Sequence, residues 1–293
     1  MRDHDGMPLL PEVPTEWIAY HRQTDETGVL ARLQNSLRSV RDTNPQTRLI
    51  AVTLLQSASS SLFALEQRLR RIHQRRNALV HGIAENTENE PDAERIGADE
   101  PIVAAEGDQI ASYLELAEIA SPLLQMLEEV TTDSKYDTLL QLLNTLGVRD
   151  GNERRVCVFT RFVDTATYLE SSLRDRYSQV RVLTGSQEFG EREQIVGEFA
   201  RNGGVLIATE SMATTIPEVA AVVLYDLPLN PAVLEARIGQ FVRVGLHCPI
   251  RIFAFTDETD ALVIERLQRK IAEVKEVLGE QEIDRVLFSK KTE

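Results

Sequence analysis

Cysteine is scarce in this chain, with two in 293 residues: Cys157 within an apolar run and Cys248 directly after His247. They form no Cys-x-x-Cys pair. That argues for a reducing compartment, the cytoplasm, and against a zinc site. Long apolar runs are missing too. The stretch VAAVVLY from Val219 is strand-sized, well short of the roughly 20 residues of a membrane-spanning helix. The opening MRDHDGMPLLPEVP has no apolar core of signal-peptide length. None of the 15 glycines is followed by lysine. Hence no Gly-x-x-x-x-Gly-Lys-Ser/Thr loop is present to wrap backbone N–H groups around nucleotide phosphates. Positive charge is in deficit: 32 Lys and Arg against 46 Asp and Glu give a net charge of −14. Non-specific coating of nucleic acid is thereby disfavoured, though a local basic groove is not.

What is present divides the chain by composition. Residues 85–108 hold nine acidic side chains and one arginine with little periodic apolar content, which predicts a solvated linker. Before it, GVLARLQNSLRSV and LIAVTLLQSASSSLFALEQRLRRIHQRRNALV carry apolar residues at helical spacing, the second with an arginine cluster over 68–76. Such a run is usually a solvated helix face. After the linker, ASYLELAEIASPLLQMLEEV and SKYDTLLQLLNTLG are helical again. Thr132-Asp133 stands as the N-cap of the latter and Gly147 as its C-cap. The domain division that follows is an α-helical region over 1–84, the linker over 85–108 and a second domain over 109–293.

Beyond Gly151 the period changes. VCVFT (156–160), VRVL (180–183), VLIAT (205–209), AVVLY (221–225) and IRIFAF (250–255) are short β-branched runs, most of them separated by helical stretches. Strand and helix in alternation predict an α/β fold with a parallel sheet covered on both faces. The chemistry of such a sheet lies in the loops at its strand C-termini. Those loops carry Thr160 and Arg161, then Thr184, Gly185 and Ser186. Hydroxyls, backbone N–H groups and helix N-termini suit phosphodiester contacts. The same residue types also suit plain caps and turns. His73, His81 and His247 lack metal spacing, and the acidic pairs Asp25-Glu26 and Asp99-Glu100 follow no apolar strand. No metal ligands are expected.

Six strings, in order, carry a family resemblance: DSKYDTLLQLL, VFTRFVDTATYL, LTGS with GEREQIVGEF, VLIATES, YDLPLNP and ARIGQFVRVG. Together they resemble the second RecA-like lobe of a superfamily 2 helicase, nearest in flavour to the Swi/Snf-type translocases. LLQSASSSLFALEQRLRR resembles the helical stretch that joins the two lobes in that branch. The resemblance implies a RecA-like parallel sheet with α-helical flanks, its leading and trailing helices included in 109–293. It places Thr160, Arg161, Thr184, Gly185 and Ser186 on a nucleic-acid backbone. Thr209, Glu210 and Gly239 fall on the nucleotide side, and Arg237, Gln240 and Arg243 in the motif that answers a γ-phosphate.

The departures are as informative. The family's Gln-Arg-x-Gly-Arg-x-x-Arg reads here Ala236, Arg237, Ile238, Gly239, Gln240, Phe241, Val242, Arg243, so one finger-type arginine has become Gln240 and the other survives as Arg243. Ala213-Thr214-Thr215-Ile216-Pro217 stands where Glu-Gly-x-Asn is usual, and Leu229 where the family's loop has Trp. Two functions follow as expectations. One is a helicase-like or translocase-like lobe that acts on DNA or RNA only with a partner supplying the phosphate-binding lobe, and with it ATP and Mg²⁺. The other is a pseudo-helicase scaffold regulating a nucleic-acid machine. In neither does the chain alone bind a cofactor or hydrolyse ATP.

Overall fold

The computed structural model describes residues 15–40, 45–81, 106–151, 153–209, 216–227, 238–239, 241 and 250–257. The trailing helices expected beyond residue 257 and residues 85–105 of the acidic linker lie outside them, while the last three linker residues, 106–108, are helical. Two compact units divide the chain: residues 1–20 with 136–293, and residues 21–135. The boundaries at 84 and 108 read from composition do not coincide with these units. The helix following the linker packs with the preceding helices, and a strand from the N-terminal region joins the sheet.

Among the described residues that sheet has six strands, all parallel, in the order β1-β6-β5-β2-β4-β3. They are β1 Thr15–Ala19, β2 Arg155–Phe159, β3 Val180–Leu183, β4 Gly204–Ala208, β5 Ala221–Leu224 and β6 Arg251–Thr256. The five expected strands are therefore present, and β1 is additional. β4 and β5 are buried along their whole length and β2 at all but Arg155, as a parallel sheet between helical layers requires. Side chains alternate between the faces. Cys157, Phe159, Leu206, Ala208, Val222 and Leu224 enter one apolar cluster, together with Val196 and Phe199. Those last two lie on helix α7, Phe189–Asn202. Val156, Val158, Val205, Ile207 and Val223 enter the other cluster. There they meet Leu139 and Leu143 of α5 (Ser134–Thr145) and Leu169 and Leu173 of α6 (Val163–Arg174).

Two glycines make the turn from α7 into β4 possible. Gly203 and Gly204 have φ of 68° and 94°, which a Cβ disfavours. A Cβ on Gly204 would also fall 2.1 Å from the Gln179 carbonyl oxygen. Gly147 ends α5 at φ 74°, where the Val148 N–H donates to the Leu143 carbonyl at 3.0 Å.

The second unit is built from α1 (Thr24–Val40), α2 (Pro45–Ser60), α3 (Leu62–His81) and α4 (Glu106–Glu128). Leu33, Leu37, Leu54, Leu65, Leu69, Leu116 and Leu123 form its core. The arginine cluster is partly used within the unit. Arg70 pairs with Glu66 at 2.6 Å, and Arg75 bonds the Tyr113 hydroxyl while lying 5.2 Å from that ring. The approach to α5 is held by carboxylates from far earlier in the chain. Asp25 accepts from the Thr131 N–H and the Thr132 hydroxyl, and Glu26 accepts from the Ser134 N–H and hydroxyl. Among the described residues, no helix is long and apolar enough to cross a membrane.

Candidate nucleic-acid interface

Because every strand runs the same way, the loops leaving the strand C-termini share one edge of the sheet. The loop after β2 is organised by a carboxylate from another strand. Asp226 lies just past β5 and is 7% exposed. Its Oδ2 accepts the Thr160 hydroxyl at 2.6 Å, and its Oδ1 accepts the Arg161 N–H at 2.7 Å. The Phe162 N–H reaches the Thr160 hydroxyl oxygen at 3.3 Å. The Thr160 N–H donates to the Ala208 carbonyl at 3.0 Å, tying the loop to the end of β4. Thr160 is fully buried. It holds the loop from inside and does not offer its hydroxyl to a phosphate. Arg161 is half-buried, with its guanidinium carbon 5.8 Å from the Phe162 ring centre. Phe162 precedes α6 in extended conformation and supplies no side-chain cap.

The loop after β3 is tied differently. The Thr184 N–H donates to the Gln187 side-chain oxygen at 2.9 Å, and the Gln187 amide donates back to the Val182 carbonyl at 3.2 Å. The Thr184 and Ser186 hydroxyls share a hydrogen bond of 3.0 Å. Arg192, in the first turns of α7, bonds the Gly185 carbonyl. Thr184 is buried and Ser186 exposed. Glu188, Glu191 and Glu193 are exposed around the start of α7. Their charge opposes an approaching phosphate at Ser186.

The remaining expected site residues divide between described and undescribed positions. Thr209 is buried, and its N–H donates to the Leu183 carbonyl at 3.1 Å, so it extends β4 toward β3. Gly239 is exposed next to buried Ile238, and Phe241 packs edge-on against Phe159 with ring centres 5.8 Å apart. Glu210, Arg237, Gln240 and Arg243 lie outside the described residues. Three residues with structural weight here were not among the expected site residues, although Asp226 lies in YDLPLNP and Arg192 in GEREQIVGEF: Asp226, Gln187 and Arg192. Asp226 had a signal, being a carboxylate at the end of an apolar strand in a parallel sheet. The other two are ordinary loop and helix residues whose roles depend on the turn.

These features define a RecA-like sheet of the helicase C-terminal-lobe type. The family model of the helicase conserved C-terminal domain matches residues 134–245. The chain is 27% identical over 164 residues to the uncharacterized ATP-dependent helicase YqhH of Bacillus subtilis (strain 168). That match covers 55% of this chain and 28% of the relative. Among solved structures, the C-terminal part of the Fun30 ATPase domain superposes with a TM-score of 0.54 at 17% identity, covering 88% of this chain and 89% of that one. The Pyrococcus furiosus Hef helicase domain gives 0.52 at 17% identity, covering 87% of this chain and 58% of that one.

Proposed function

We propose that residues 134–245 act as the second lobe of an ATP-dependent motor on nucleic acid, of the Swi/Snf-type branch. The phosphate-binding lobe is supplied from outside these 293 residues by a partner. The observation that carries this reading is the extent of the family match. It takes in both the Arg161 loop and the segment bearing Arg237, Gln240 and Arg243, yet these 293 residues hold no Gly-Lys phosphate loop. Such a lobe grips the strand and presents an arginine to a γ-phosphate held elsewhere. The strand is met through phosphate rather than bases, so sequence preference is slight.

The test is hydrolysis by the chain alone and by its complex with a phosphate-loop partner. The isolated chain is expected to release no phosphate from ATP. In the complex, Arg243→Ala should slow hydrolysis about a hundredfold, by removing charge stabilisation in the transition state. Restoring arginine at position 240 should raise the rate. A complex whose hydrolysis is indifferent to Arg243 rules the motor out and leaves the scaffold.

A further inference from the structure

We infer that Asp226 is a positioning residue for the nucleic-acid contact, fixing the backbone at Arg161 so that the Arg161 guanidinium meets a strand phosphate. This rests on the reading that the Arg161 loop touches the strand. Three successive residues of that loop depend on one carboxylate that belongs to neither β2 nor α6. The Thr160 hydroxyl and Arg161 N–H bind its two oxygens at 2.6 and 2.7 Å. The Thr160 hydroxyl oxygen in turn takes the Phe162 N–H at 3.3 Å. Hydrogen bonds to an ionised acceptor are short and about twice as strong as neutral ones, so the hold is firm. It also has direction. One carboxylate oxygen holds a side chain and the other a backbone amide of the next residue, which orients the turn at Arg161.

The carboxylate also joins two regions that the sequence keeps apart. Asp226 closes β5, and the segment that follows it in the chain bears Arg237, Gln240 and Arg243. The Thr160 N–H, on the Ala208 carbonyl, adds the end of β4. A residue that merely stabilised the sheet would not need to reach the Arg161 amide, because the β2–β5 ladder already pairs Phe159 with Leu224.

The experiment uses the full chain and a labelled DNA duplex and single strand, with affinity measured against salt concentration. Asp226→Ala and Arg161→Ala should each weaken binding at low salt by about fivefold or more and flatten the log–log salt slope by about 0.7–0.9, the signature of one lost phosphate contact. The double variant should bind no worse than either single one. Asp226→Asn should recover most of the affinity, since its amide can accept from Arg161 while donating to a reversed Thr160 hydroxyl. A structural role alone lowers the melting temperature but leaves the salt slope unchanged. If Arg161→Ala flattens the slope and Asp226→Ala does not, or if the two losses add, the inference is overturned and the strand-contact reading survives. If Arg161→Ala has no effect, or the unaltered chain does not bind even at low salt, the strand-contact reading fails and the inference goes with it. Should Asp226→Ala not fold, Thr160→Val decides: it cuts one of the two bonds, and a wild-type slope then overturns the proposal.

Discussion

Asp25 and Glu26 are adjacent in sequence but hold different groups. Glu26 is buried and accepts from the Gln23 N–H at 2.7 Å as well as from Ser134. Asp25 binds Thr131 and Thr132, and the Thr132 hydroxyl, helped by nearby backbone N–H groups, holds its carboxyl below the ordinary value of 3.8. A depressed carboxyl stabilises the fold above its unfolded pKa, and that contribution is lost as pH falls through the lower folded value. Asp25→Asn should therefore cost stability at pH 7, and the gap to the unaltered chain should close below pH 3.8. Denaturant titrations at neutral and acid pH measure it. A gap that is constant with pH would show that the charge of Asp25 is not what stabilises this corner. Lys135 and Arg22 act nearby, donating to the Ser59 carbonyl at 2.7 and 3.3 Å, where cations favour the C-terminal end of α2. Apart from the local Gln23–Glu26 bond, none of these contacts is readable from sequence, because each joins residues whose separation only the fold closes.

At the scale of elements, the strands after Gly151 were legible to within a residue at either end, because β-branched runs punctuated by turns leave few alternatives. β1 was not legible. TEWIA is mostly exposed or half-buried and shows no two-residue apolar alternation. Its identity depends on a partner, β6, met through Trp17 opposite Ala254 and through the Glu16–Arg251 ion pair at 2.9 Å. The run from Leu49 to Val80 read as one helical pattern, yet it is two helices, since Ser61 ends α2 and starts α3. The Ser61 hydroxyl caps the second helix, accepting the Ala64 N–H at 3.0 Å. Ser61→Ala should destabilise the chain by about 1 kcal/mol, the usual loss of an N-cap. Thermal and denaturant unfolding would measure it, and an unchanged midpoint would mean that the α2 backbone, not the cap, holds this junction. The expected cap at Thr132-Asp133 was legible as a helix start, but the first N–H of α5 goes to Glu26, which no local pattern announces. In the candidate site, the loops were legible as strand ends. What the Asp226 carboxylate holds was not, because its register against β2 decides what it reaches.

On the scale of the whole molecule, the sheet-bearing unit is assembled from two separate stretches of chain with residues 21–135 between them. A fragment covering 109–293, the domain that composition suggested, lacks β1 and the helices that pack on α4. The outer edge of β6 would then stand unpaired, a template for association. This fragment should self-associate more than the full chain and melt lower. Size-exclusion chromatography and thermal unfolding test this, and a fragment as monomeric and as stable as the full chain would show that β1 contributes nothing. The parallel pairing of Glu16 with Phe253 has a further consequence, in time. A ribosome that extends the chain by about 5–20 residues per second makes the first strand of this sheet tens of seconds before the last one exists. Through that interval β1 has no partner, while β2, β3, β4 and β5 can already zip together. The first strand to be synthesised is then the last to be seated, and a chaperone or ribosome-borne factor would meet TEWIA as an unpaired segment in every nascent molecule.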